Sequence, residues 1–199
     1  MISFEKKVNT NNLNIGVIGG TFDPIHRGHL RVIQKLATNF DQLLVIPSGN
    51  PWLRKHQPTA SGADRFRMCE LAVAELGFGQ KVKVLDIEVN RAGPTYSIET
   101  ILALQKENPD AKFTLILGAD AAARISQWHR SDELKKLVTF LVVNRPGATK
   151  SEFDQIEIDA FDISATQVRE AVSKQANLSN LISPSVWNFI KERKLYGSK

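Results

Sequence analysis

Short apolar segments alternate along this chain with stretches of helical periodicity, and the first apolar run ends directly in two glycines. Ile15-Gly-Val-Ile18 followed by Gly19-Gly20 reads as a buried strand closed by a glycine turn. Between Gly28 and Asn39 the apolar positions Leu30, Ile33, Leu36 and Ala37 have helix spacing. Leu43-Leu-Val-Ile46 reads as a second strand stopped by Pro47, and Ala63 to Leu76 as a second amphipathic helix. Val82 to Val89 is expected as a third strand. Ser97 to about Glu107 is expected as a helix, with Ser97 a suitable N-cap and Glu99 in its first turn. Phe113–Leu117 and Phe140–Val143 complete the strand set, and Ser164 to Leu195 reads as helical with breaks near Asn177 and Ser183-Pro184. Strand and helix alternating at this pitch imply βα units, hence an α/β fold with a mainly parallel sheet flanked by helices and a helical C-terminal part.

Composition narrows the partners. The 199 residues carry a net charge of +5, which suits either a mildly basic solvated surface or a pocket for polyanionic small molecules. No long Lys/Arg block points to nucleic acid, since Lys191-Glu-Arg-Lys194 is interrupted by an acid. The single cysteine, Cys69, excludes an internal disulfide; it lies on the stripe Phe66, Cys69, Val73, Leu76 and reads as a core thiol rather than a nucleophile. No run of 18 apolar residues suggests a membrane span. Met1 to Asn14 is polar, without the apolar centre of a secretory signal. These features fit a cytoplasmic enzyme with a loose leader over residues 1–13 and one domain over 14–199.

The chemistry concentrates in Gly19-Gly-Thr-Phe-Asp-Pro-Ile-His-Arg-Gly-His29, between the first strand and the first helix. A helix start offers unpaired N–H groups and the positive end of a dipole, which suit a phosphate. Gly19 and Gly20 allow close backbone approach, and Gly28 leaves room for a phosphate chain. His26 and His29 are three apart and can face one side. Their imidazoles can donate to phosphoryl oxygens and become charged beside them. A metal pair or plain surface histidines are the competing readings; metal would need a third ligand, and only His56 and His129 remain. The whole eleven-residue string resembles the signature of the nucleotidyltransferase superfamily, which pairs Gly-Thr-Phe-Asp-Pro with His-x-Gly-His. That resemblance implies a Rossmann-like domain and phosphate-binding roles for Gly19, Gly20, Gly28, His26 and His29.

A second string, Ile163-Ser-Ala-Thr-Gln-Val-Arg169, starts another helix with Ser164 as a good N-cap, Thr166 in the first turn and Arg169 one turn on. Helix starts with a Ser and an Arg are common, so alone it decides little. It is similar to the superfamily's Ile-Ser-x-Thr-x-x-Arg signature, and by that resemblance Ser164, Thr166 and Arg169 hold the β- and γ-phosphates of ATP.

Three further strings bear on the acceptor: Arg91-Ala-Gly-Pro-Thr-Tyr-Ser-Ile-Glu-Thr100, Leu117-Gly-Ala-Asp120 and Gln127-Trp-His129. Gly118 and Asp120 stand at the carboxyl end of a strand, where open parallel sheets bind ligands; Asp120 can accept from a ribose hydroxyl or serve as an N-cap. Trp128 is either a stacking plate for a heteroaromatic ring or a partly buried anchor. Thr95, Tyr96 and Ser97 precede a helix and can recognise a carboxylate, cap that helix, or do both. From about Ile15 to Tyr196, through the ending Leu181-Ile-Ser-Pro-Ser-Val-Trp-Asn-Phe-Ile190, the chain resembles the nicotinate mononucleotide adenylyltransferases. Many members have Pro-Pro-His-Lys after the second strand; here the text is Asn50-Pro-Trp-Leu-Arg-Lys-His56, so Arg54 or Lys55 stands in for that lysine.

The resemblance implies adenylyl transfer from ATP, with Mg²⁺, to nicotinate mononucleotide, giving nicotinate adenine dinucleotide and pyrophosphate in NAD biosynthesis. His26, His29 and Arg169 would stabilise charge, Thr21 and Phe22 would line the junction of ATP and acceptor, and no metal-ligating residue set is expected. The same chemistry on nicotinamide mononucleotide or phosphopantetheine is the near alternative, and a non-catalytic nucleotide sensor the distant one. Homo-oligomerisation stays open.

Overall fold

The computed structural model describes residues 13–51, 56–144, 152–159 and 162–198. The leader through residue 12, together with Trp52, Arg54 and Lys55, therefore lies outside the described residues. Six strands form one sheet: β1 (Asn14–Gly20), β2 (Gln42–Pro47), β3 (Val82–Val84), β4 (Lys112–Gly118), β5 (Thr139–Asn144) and β6 (Asp154–Glu157). Their order is β3-β2-β1-β4-β5-β6, and every pairing is parallel. The helices are α1 (Arg27–Leu36), α2 (Gly62–Ala74), α3 (Ser97–Glu107), α4 (Ala119–Ala122), α5 (Ser131–Leu137), α6 (Ala165–Ser173) and α7 (Pro184–Glu192).

Period-two alternation sends neighbouring strand residues into opposite apolar layers. Leu43 and Val45 of β2 join a core with Leu30, Ile33 and Leu36 of α1, Met68 and Cys69 of α2, Val168 of α6 and Ile190 of α7. Leu44 and Ile46 join the other core, with Ile98, Ile101 and Leu104 of α3 and Leu134 of α5. Ile33 and Leu36 are fully buried, each contributing about 1.5–3 kcal/mol of apolar burial. Gly16 of β1 is required by closeness: a Cβ there would stand 2.7 Å from Leu43 and 2.8 Å from the Phe40 ring. Cys69 is buried, and burial pushes its thiol up out of the reactive range, as a core thiol requires.

Three expectations change. The third strand ends at Val84 rather than Val89: the Asn90 amide donates to the Asp86 carboxylate at 2.6 Å and its N–H to the Asp86 carbonyl at 3.0 Å, closing a turn that ends the extended chain. Ser97 is the first residue of α3, not its cap; Tyr96 holds the N-cap position, and its side chain accepts no capping bond from the first-turn N–H groups. Strand β6 and the short helices α4 and α5 join the elements read from sequence. The C-terminal helical region divides into α6 and α7 where Asn177 and Ser183-Pro184 suggested, with Pro184 in the first turn of α7. Among the described residues no helix is long and apolar enough to cross a membrane.

Candidate active site

In the order 3-2-1-4-5-6 the chain leaves β1 toward one side and β4 toward the other, opening a crevice between their carboxyl ends. A pocket occupies that crevice. Its lining brings together Gly19, Gly20, Phe22, His26, Gly28 and His29 from the first motif and Gly118 and Asp120 from the end of β4. Neither Gly19 nor Gly118 has a left-handed φ, and a Cβ built at either would meet nothing within 4 Å. Glycine there preserves open room rather than satisfying the backbone.

His26 is the N-cap residue of α1 and His29 lies in its first turn. Their rings stack at 3.6 Å between centroids, 23° apart, and the edge of Phe22 meets His29 at 5.0 Å. Phe22 has φ +49°, the left-handed region; its ring fills the space a Cβ on Gly20 would need, 2.8 Å away, so glycine there makes room for it. The His26 N–H donates to His29 Nδ1 at 3.3 Å, which places the His29 proton on Nε2. The Nδ1 of His26 is buried without a partner. Burial lowers the His26 pKa from 6.5 to about 4, and burial plus the neighbouring imidazole lowers that of His29 well below its ordinary value. Without an anion the pair is neutral at pH 7; a polyphosphate would pull both values back up.

The second motif reaches the first through Arg169. Its Nη1 donates to the Asp23 carbonyl at 2.7 Å and its Nη2 to Thr166 Oγ1 at 3.2 Å. Ser164 is the N-cap of α6: its Oγ accepts from the Gln167 N–H at 3.2 Å while Gln167 Oε1 accepts from the Ser164 N–H at 2.7 Å. Ser164, Thr166 and Arg169 do not themselves line the pocket, although their neighbour Ile163 does.

Two residues to which the sequence assigned no role hold this constellation. Asp23 accepts from the Thr59 and Ala60 N–H groups at 2.7 and 3.1 Å and from the Tyr196 hydroxyl at 2.7 Å, tying the motif to the approach to α2 and to the C-terminal turn. Arg65 of α2 is 1% exposed and donates to the carbonyls of Thr21 at 2.7 Å, Gly49 at 3.0 Å and Ala60 at 3.3 Å. Asp23 sits in plain view inside the motif, and its side-chain role had no sequence signal. Arg65 lies on a helix where an arginine is ordinarily solvated.

The acceptor candidates cluster past β2. Thr95 donates through N–H and Oγ1 to the Asn50 carbonyl at 3.0 and 3.3 Å, and Pro51 bridges to Thr95. Gly49 is obligatory here, since a Cβ would stand 2.0 Å from the Glu88 carbonyl. Tyr96 lays its ring on His129 at 4.2 Å, and Trp128 packs half-buried on the core that holds α3. None of Thr95, Tyr96, Ser97 and Trp128 lines the pocket at the β1–β4 crevice. Thr21 is likewise outside its lining, with its carbonyl held by Arg65. The two regions meet where the Ser48 N–H donates to the Gly20 carbonyl at 2.8 Å. Among the described residues no group of three or more His, Cys, Asp or Glu is placed to hold a metal ion.

Comparison with known proteins converges on one family. A cytidylyltransferase-like family model matches residues 17–171. A Streptomyces coelicolor protein named "probable nicotinate-nucleotide adenylyltransferase" is 37% identical over 188 residues, covering 90% of this chain and 98% of its own. One of the same name from Geobacillus thermodenitrificans is 37% identical over 190 residues, covering 93% and 87%. In fold, the chain is similar to the Plasmodium falciparum nicotinic acid mononucleotide adenylyltransferase complexed with NaAD, with TM-score 0.79, 20% identity and coverage of 94% and 99%.

Proposed function

Because the chain belongs to the nicotinate-nucleotide adenylyltransferase family, within the cytidylyltransferase-like group, we propose that the crevice pocket transfers the adenylyl unit of ATP to nicotinate mononucleotide. The observation that carries this reading is the stacked His26–His29 pair at the start of α1, beside the open room at Gly19 and Gly118. A phosphate oxygen of the acceptor attacks the α-phosphorus in line. The new O–P bond forms as the bond to the β-phosphate oxygen breaks, and pyrophosphate departs with the electron pair. The nucleophile is already an anion, so no general base is required; positioning and charge stabilisation carry the catalysis.

His29 Nε2–H points its donor toward the phosphate chain, and His26 takes up charge as negative charge accumulates. Arg169, fixed by the Asp23 carbonyl and Thr166, supports the β- and γ-phosphates from the far side. Ser164 contributes by starting α6 rather than through a free hydroxyl, since its Oγ is engaged with Gln167. Asp120 accepts from the ribose. Thr21 and Phe22 lie at the junction of donor and acceptor, and Thr95 to Ser97 with Trp128 receive the nicotinate part. Arg54 or Lys55 approaches the acceptor phosphate. Mg²⁺ enters as part of the MgATP substrate, carried by phosphate oxygens and water. A cytoplasmic setting belongs to the same reading, as both substrates are small soluble nucleotides.

Product analysis tests it. Incubation with MgATP and nicotinate mononucleotide should yield nicotinate adenine dinucleotide and pyrophosphate in equal amounts. Formation of ADP, or of AMP without the dinucleotide, would contradict the reading.

A further inference from the structure

Asn144 closes β5 and is 4% exposed, yet it lines the same pocket as His26 and His29. Its main-chain carbonyl accepts from the Ile158 N–H at 3.0 Å, and its Nδ2 donates to Gln155 Oε1 of β6 at 2.7 Å. Its Oδ1 is buried with no partner. A buried acceptor left unpaired is costly, so one retained in a ligand pocket calls for a donor from the ligand. Ile116, Val143, Ile158 and Ile163 line the same pocket, giving apolar surface on which a ring can pack.

Position selects which part of the ligand arrives there. The phosphate elements sit at β1 and α1, Gly118 and Asp120 at the end of the next strand β4, and Asn144 at the end of the strand after that. Phosphate, ribose and base follow the same order along a nucleotide. Gln155 holds the Asn144 amide by its nitrogen, so the oxygen is the atom left for the ligand.

We propose that Asn144 reads the base of the nucleoside triphosphate, its Oδ1 accepting a hydrogen bond from an exocyclic amine. This rests on the reading of the pocket as the triphosphate site. Adenine offers the amine; a purine with hydrogen at that position leaves Oδ1 unpaired, and hypoxanthine or guanine presents a carbonyl that repels it.

Equilibrium binding tests the assignment without relying on turnover. Wild-type protein should bind MgATP about ten- to a hundredfold more tightly than purine riboside triphosphate or ITP, the range for one buried hydrogen bond. Asn144→Ala should bring the three affinities to within about threefold, mainly by weakening ATP. Gln155→Glu, whose carboxylate still accepts from Nδ2, should retain the wild-type order. Equal affinities in the wild type, or an unchanged ratio in Asn144→Ala, would overturn the proposal. The wild-type comparison stands even if the variant fails to fold. A clear preference for ATP in a protein that makes no dinucleotide would contradict the transfer reaction while upholding the base contact; absence of ATP binding would contradict both.

Discussion

The two histidines of the first motif carry the sharpest claims. His29→Ala should lower kcat by two or more orders of magnitude in a variant that still folds, the range for losing one transition-state donor. Steady-state kinetics within threefold of wild type in a folded variant would remove that role. The buried pair also fixes a pH dependence. As pH falls through 6.5 the unfolded chain protonates its histidines, whereas folded His26 does so only near 4. The free protein should therefore lose stability across that window, by about 1.4 kcal/mol for each pH unit contributed by His26. Thermal melts between pH 7 and 5 should show this, with a shallower fall in His26→Gln; identical slopes would contradict the assignment. ATP bound near pH 5 favours the imidazolium and should be taken up together with protons, measurable as a buffer-dependent heat of binding. His26 and His29 were legible because the motif places them at a helix start. The orphaned Oδ1 of Asn144 was not, since nothing in Leu141-Val-Val-Asn144 separates a ligand contact from an ordinary strand end.

At the level of elements, the structure divides residues that make room from residues that tie loops together. Gly118 ends β4 in an extended conformation open to any residue, with free space over its Cα. Gly118→Val should leave the fold intact and raise the KM for ATP by at least about tenfold through steric exclusion. A folded variant with unchanged KM would show that ATP does not lie there. Arg65 is the opposite case. Removing its guanidinium strands the carbonyls of Thr21, Gly49 and Ala60, so Arg65→Ala should cost about 3 kcal/mol or more. In a chain of this size that is roughly a 6–12 °C drop in midpoint by calorimetry. Helices and strands with strong apolar periodicity, such as α1, α3 and β2, could be read from sequence because burial dictates their spacing. Strand β6 could not: Asp154-Gln-Ile-Glu157 is an edge strand with one half-buried apolar side chain. Helix α4 has only four residues, too few to show a period. The third strand was read too long because the apolar residues of 85–89 fill a turn, Leu85 and Ile87 packing beneath it.

For the whole molecule, the parallel sheet with its crevice between β1 and β4 makes one pocket from segments far apart in the chain. Arg169 reaches Asp23 across 146 positions, and Tyr196 reaches it across 173. Alternating strands and helices disclosed the architecture, and the two signatures pointed to the chemistry proposed for the crevice. The strand order, the hub at Arg65 and the separation of the candidate acceptor residues from the crevice pocket needed three dimensions, because each depends on contacts between segments with no local pattern in common. The central claim is that this crevice joins ATP to nicotinate mononucleotide. The most direct measurement is kcat/KM for pyrophosphate release from MgATP with nicotinate mononucleotide, nicotinamide mononucleotide and phosphopantetheine in turn. A clear preference for nicotinate mononucleotide is the predicted result. Preference for either other acceptor would contradict the acceptor assignment, and release with none of them from folded, ATP-binding protein would contradict catalysis itself.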